Sequence, residues 1–234
     1  APQAIEFSTF TNKTTRAVEN NSGANYSDAL EGHHTTFKVW ASKQVTDNTV
    51  TPSTTKYLSV YNGSTVSYGT AWVASPLKFW DKTATSYEFY AAAPAELSWN
   101  AANTTGTAGT LSLNNFSLTG VNNTSSESWE GLDDKDLMIA APNTVGRAAY
   151  NKATPNLVTM EFNHILSRLN IKVKKGANID PAHALELTSL TVYGLKNKGS
   201  FDEDKAVADQ TAKNTRWYDQ DVDGTYELTA ASTS

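Results

Sequence analysis

Between Leu157 and Lys175 the chain switches the face on which it carries its apolar residues. Read in steps of two, Val158, Met160 and Phe162 fall on one side, while Leu169, Ile171 and Val173 fall on the opposite parity. Side chains of a strand alternate strictly, so one uninterrupted strand cannot bury both sets on the same side. The spacing predicts two strands, with a bend or change of face between His164 and Arg168. Phe162, Ile165, Leu166 and Leu169 also fit the i, i+3, i+4, i+7 spacing of a helical face. The Thr-rich, β-branched flanks and the lack of a helix cap favour strands. The switch reads as a junction between an N-terminal domain, 1–164, and a C-terminal one, 165–234.

The same period of two recurs in short runs elsewhere. Ala4 to Phe10 reads as a strand with Ile5, Phe7 and Thr9 on one side and Glu6 and Ser8 on the other. Thr36 to Ala41 alternates. Lys56 to Tyr61 reads as a strand that turns at Asn62-Gly63 and returns over Ser64 to Tyr68. Trp72 to Trp80 fits an edge strand or a strand pair broken by Pro76. Ser86 to Ala92 turns Tyr87, Phe89 and Ala91 inward and ends at Pro94. Asn100 to Gly109 reads as a loop. In Thr110 to Leu118 the parity slips at Asn114-Asn115, which suggests a bulge. Leu137 to Ala141 is a continuous apolar run, read as a strand buried on both faces and stopped by Pro142. Ala184 to Leu195 ends near Gly194, and shorter strands are expected at Phe201, Thr215 to Tyr218 and Thr225 to Thr229. About ten short strands with turn residues between them predict an all-β chain of β-sandwich type.

Composition removes several function classes. A net charge of −5 and a pI near 5.4 leave no basic face for phosphates, so nucleic acid is not a partner. The chain has no Cys, which excludes a disulfide framework, a Cys-ligated zinc and a Cys nucleophile. No apolar run approaches the roughly eighteen residues of a spanning helix. The first residues, Ala1-Pro2-Gln3, lack an initiator Met and read as a processed or trimmed start.

Motifs for chemistry are weak. There is no Gly-x-Ser-x-Gly elbow, Gly-rich phosphate loop or His-Glu-x-x-His. His33-His34 lies in a polar stretch where adventitious metal binding is the alternative to a plain loop. His164 shares a face with Phe162 and reads as a buried histidine met by backbone or Ser/Thr groups. Asp219-x-Asp221-x-Asp223-Gly224 begins like a calcium loop, but Ala230 stands where the bidentate Glu belongs. Glu130, Asp133, Asp134 and Asp136 could hide a carboxylate pair for glycoside hydrolysis, but a charged turn before a strand explains them as well. The six Trp could line a sugar-binding surface, although Trp on alternating strands more often fills a core. No catalytic residue, metal ligand or cofactor is assigned. Thr14-Thr15-Arg16-Ala17 sits in an Asn/Ser/Gly-rich stretch of the kind proteases cut.

Several stretches together resemble the fimbrillin family of Bacteroidia, the major and minor fimbrial subunits and their relatives. They are Ile5-Glu6-Phe7-Ser8 followed by Thr15-Arg16-Ala17; Phe37-Lys38-Val39-Trp40-Ala41; Trp72 with Lys78-Phe79-Trp80; Tyr87-Glu88-Phe89-Tyr90-Ala91 with Pro94; and Asp136-Leu137-Met138. The most specific is Phe162-Asn163-His164-Ile165-Leu166-Ser167-Arg168-Leu169, inside the stretch where the parity switches.

The resemblance implies two transthyretin-like β-sandwich domains in tandem, meeting near that segment. It also implies an exported lipoprotein precursor, anchored to the outer membrane through an N-terminal Cys that would precede residue 1. In such subunits an Arg-directed protease removes the first strand, and another subunit fills the groove with a donor strand. By position, Arg16 and Ala17 match the processing site. Ile5, Glu6, Phe7, Ser8, Thr9 and Phe10 match the removable strand. The expected partners are other fimbrial subunits and the maturation protease. A surface adhesin of the same fold, holding a host glycan or protein, is the alternative. The physics is coherent: losing a strand exposes unpaired backbone and an apolar groove, another chain repairs it by strand addition, and a head-to-tail contact that does not close makes a filament. The chain after Leu169 is short for a second sandwich, so that domain is expected to be incomplete.

Overall fold

The computed structural model describes residues 2–11, 30, 34–102, 110–117, 136–166, 174–180, 182, 188–203, 216–220 and 223–229. Among them the strands are β1 (Phe7–Thr11), β2 (Thr36–Asp47), β3 (Thr54–Tyr68), β4 (Trp72–Ser75), β5 (Ser86–Ala93), β6 (Trp99–Ala102), β7 (Thr110–Ser117), β8 (Met138–Gly146), β9 (Val158–His164), β10 (Ser189–Lys196), β11 (Lys198–Asp202), β12 (Trp217–Tyr218) and β13 (Asp223–Thr229). A single turn of helix, α1 (Arg147–Tyr150), follows β8. The chain is all-β, as its period predicts.

Seven strands close into a barrel in the order β1-β4-β3-β2-β5-β8-β9. Neighbours pair antiparallel except at the closure, where β1 runs parallel to β9. Alternation fills the interior: Phe7, Phe37, Val39, Val66, Trp72, Phe89, Ala91, Met138, Val158, Met160 and Phe162 all belong to one buried cluster. A second sheet, ordered β12-β11-β7-β6, contributes to a second cluster. There Trp99, Leu111, Leu113, Phe116 and Phe201 meet the outward residues Trp40, Tyr90, Ala92 and Ile139 of the barrel wall. Burial on both faces explains why β5 reads as a nearly continuous apolar run from Phe89 to Ala93. β11 and β12, which follow residue 164 in sequence, thus complete a sheet with β6 and β7, which precede it. β10 and β13 form a separate two-stranded ribbon.

The start of the expected change of face lies among the described residues. Val158, Met160 and Phe162 point into the barrel, and Ile165, just past His164, belongs to the second cluster. The Ile165 N–H donates to the Leu137 carbonyl at 2.9 Å, which holds the chain at this step. Strand geometry through His164 rules out the helical alternative there; Leu169, Ile171 and Val173 lie outside the described residues.

Three turn signals proved to be irregularities inside strands. β3 runs 15 residues straight through Asn62-Gly63. Val39 pairs with Ser64 and Trp40 with Asn62, so Gly63 is the extra residue of a bulge, at φ +69°. Positive φ serves a bulge as well as a hairpin. Pro142 does not stop β8: Phe89 pairs with Asn143 and Ala91 with Ala140, so the proline sits in a bulge where no ladder N–H is needed. Gly194, at φ +75°, is a bulge within β10 rather than its end. The bulge expected at Asn114-Asn115 is present, with Asn115 at φ +54°. Two strand ends also differ. β2 and β3 extend past the alternating runs Thr36–Ala41 and Lys56–Tyr61, pairing out to Asp47 and Thr54, and β6 occupies the start of the loop expected from Asn100.

Candidate assembly groove

The first strand plugs the barrel with alternate residues. Ile5 and Phe7 are buried, as is Thr11, whereas Glu6 and Phe10 are exposed. Phe7 sits among rings: its centroid is 6.0 Å from those of Phe37, Tyr61 and Phe89, edge-on to the first and last. Phe37 in turn contacts Trp72 at 5.0 Å and Phe162 at 5.3 Å, so the seat of Phe7 is continuous with β4 and β9. Burial pushes the Tyr61 hydroxyl up to about 12, so the ring enters as a neutral, apolar wall.

The backbone of this strand is held on both flanks. Along β9 every residue of β1 is in register, from Phe7 with Val158 to Thr11 with Phe162. The Val158 N–H also donates to the Glu6 carbonyl at 2.8 Å. Outside the barrel, Ser8 Oγ and Thr159 Oγ1 lie 3.0 Å apart. Toward β4 the register holds one pair, Phe7 with Trp72. Before that, residues 3–5 lie against 78–80: Ile5 N–H donates to the Lys78 carbonyl and Trp80 N–H to the Gln3 carbonyl, each at 2.9 Å. The Gln3 side-chain amide reaches the Ala153 carbonyl.

The residues expected to form the removable strand are therefore together in one seat. Arg16 and Ala17, expected to be the processing site, lie outside the described residues. Sequence reasoning missed the seat itself. Its wall comes from β2, β3, β4, β5 and β9, and β9 is some 150 positions away from β1, as the contact of Ser8 with Thr159 shows. Only the strong alternation of 158–162 hinted at a strand with a buried face awaiting neighbours.

The other candidates resolve into structure. His164 is buried, as expected, and its Nδ1 lies 2.7 Å from Asp136 Oδ2, a carboxylate partner the sequence did not point to. His34 is also buried, its Nε2 lying 2.5 Å from the Asp136 carbonyl. These contacts tie the entries to β2 and β8 to the end of β9. Glu130, Asp133, Asp134, His33, His183 and Asp221 lie outside the described residues, and no group of three metal-ligating side chains occurs among the described ones. Trp40, Trp72, Trp80 and Trp99 are buried and Trp217 is half-buried, so these tryptophans fill cores.

Sequence comparison adds one finding. The model of the fimbrillin-like protein family matches residues 15–234, a span that begins after β1. No curated protein and no solved structure is significantly similar to the chain. With nearly its whole length covered by that match, the chain belongs to the fimbrillin-like family.

Proposed function

We propose that this protein is a structural fimbrial subunit of the bacterial cell surface that assembles by strand exchange. In this reading an Arg-directed protease cuts after Arg16, β1 leaves, and a strand from another subunit takes its seat. The observation that carries the reading is the seat of β1: buried side chains on a strand in register with β9 from Phe7 to Thr11 and paired with β4 at Phe7–Trp72. Such a strand leaves behind a ready groove and two unpaired edges when it goes. The contact is head-to-tail and makes a filament. Export as a lipoprotein attached to the outer membrane belongs to the same reading. So do two tandem transthyretin-like units over 1–164 and 165–234, with β11 and β12 of the later stretch pairing back onto β7 of the earlier one. The adhesin alternative finds no aromatic platform among the described tryptophans, which face cores.

The test is limited trypsin digestion of the folded protein, with mass spectrometry of the fragments and electron microscopy of the product. The reading predicts cutting after Arg16 followed by filaments or ladders. Cut protein that stays monomeric would contradict it, and the glycan-binding alternative would then be screened.

A further inference from the structure

We propose that the groove under β1 selects its occupant at one position, accepting a strand that runs parallel to β9 and places an aromatic ring where Phe7 now sits. The inference rests on the strand-exchange reading above and adds the chemistry of the partner. The cis strand shows what fits. Its inward residues are Ile5, Phe7, Thr9 and Thr11, with Thr9 half-buried, so Phe7 is the one ring it sends into the core. That ring meets three others, two of them edge-on. Edge-to-face contact needs a quadrupole on both partners, which an aliphatic side chain lacks. Ile5 supplies apolar area without that directional requirement. The outward positions impose nothing comparable: Phe10, the same residue type on the other face, is 39% exposed.

Direction is set by the backbone on both flanks. The Glu6 carbonyl accepts from Val158 on one side, while Ile5 donates to Lys78 and Gln3 accepts from Trp80 on the other. An incoming strand that satisfies these groups runs parallel to β9 and antiparallel to 78–80. Run backwards, it meets a parallel neighbour's slanted ladder in the wrong phase and carries its aromatic ring past a different pair.

The experiment uses the intact chain carrying Phe7→Ala, which loosens the cis strand, and fluorescent peptides spanning Gln3 to Asn12. Binding is read by anisotropy and by the rise in melting temperature. Should Phe7→Ala fail to fold, Phe7→Leu provides a milder host. The native-sequence peptide is expected to bind and stabilise. A peptide with Phe7→Ala should bind about a hundredfold more weakly, and one with Phe10→Ala within about threefold of the native sequence. A peptide of reversed sequence should not compete. Equal losses from the two phenylalanine changes, or none from either, would overturn the selectivity while leaving strand exchange standing. If no peptide, native sequence included, binds either host even after cutting at Arg16, strand exchange itself falls and the selectivity with it.

Discussion

β5 and β1 both send a phenylalanine deep into the same barrel, yet they are built into it differently. Phe89 of β5 and Phe7 of β1 are buried side by side, with ring centroids 6.0 Å apart. β5 pairs with β2 from Lys38–Ala92 to Gln44–Ser86 and with β8 on its other edge, and its outward Tyr90 and Ala92 are covered by the second sheet. Among the described residues β1 is in register with β9 from Phe7 to Thr11, pairs with β4 at Phe7–Trp72, and carries an exposed outward phenylalanine. Depth of side-chain burial and attachment of the backbone are thus separable. Under the proposed strand exchange, the seat of β1 would take another strand that brings the right side chains in the right direction.

The comparison can be broken at the largest effect first. Phe89→Ala should cost about 5 kcal/mol, near the top of the range for buried phenylalanine, because both faces of β5 are pinned and the site cannot collapse. Phe7→Ala should cost about 3 kcal/mol, since β1 can shift toward the vacated space. Chemical denaturation of the two variants beside the wild type measures both, and equal losses would argue that β1 is as fixed as β5. Hydrogen exchange sharpens the point. The Ile5 and Trp80 amides, which join residues 3–5 to 78–80, should open at least about 2 kcal/mol below the β2–β5 amides, as a locally opening segment does. Exchange of both sets through global unfolding alone would remove the weak seam.

The smallest effect lies on the β5 side. Asp81, in the turn before β5, accepts from Lys43 Nζ at 2.7 Å and from the N–H and hydroxyl of Thr83. The Lys43 and Thr83 hydrogen bonds hold its carboxyl down at about 2, from an ordinary 3.8. A depressed carboxylate stabilises the fold above its unfolded value, and the contribution fades as pH falls from about 3.8 through about 2. Asp81→Asn should therefore flatten the acid limb of stability in that window. At neutral pH it should cost about 1 kcal/mol or less, because the pair is solvent-screened. The melting temperature between pH 2 and pH 5 checks this.

Local pattern carried much of the fold. Val158, Met160 and Phe162, and likewise Tyr87, Phe89 and Ala91, announce their buried faces because alternation is a property of the strand alone. Asn62-Gly63, Pro142 and Gly194 misled because a turn and a bulge ask for the same backbone freedom, and only the partner strand decides between them. The candidate strand Ile5 to Phe10 was legible from its alternation and the family resemblance. Its seat was not, because a parallel pairing between Phe7 and Val158 leaves no trace in either segment. The Asp136–His164 contact escaped for the same reason.

The most direct test of an exchangeable first strand uses the facing pair Ser8 and Thr159, whose hydroxyl oxygens are 3.0 Å apart. Cysteines at these two positions are close enough to bridge, and the chain has no other cysteine to confuse the result. The double variant would be cut after Arg16 in oxidised and reduced forms, and filament formation followed by electron microscopy. The account predicts that the oxidised protein keeps residues 1–16 bound and stays monomeric, while the reduced protein assembles. Filaments from both forms alike would contradict it, because assembly would then not require β1 to leave.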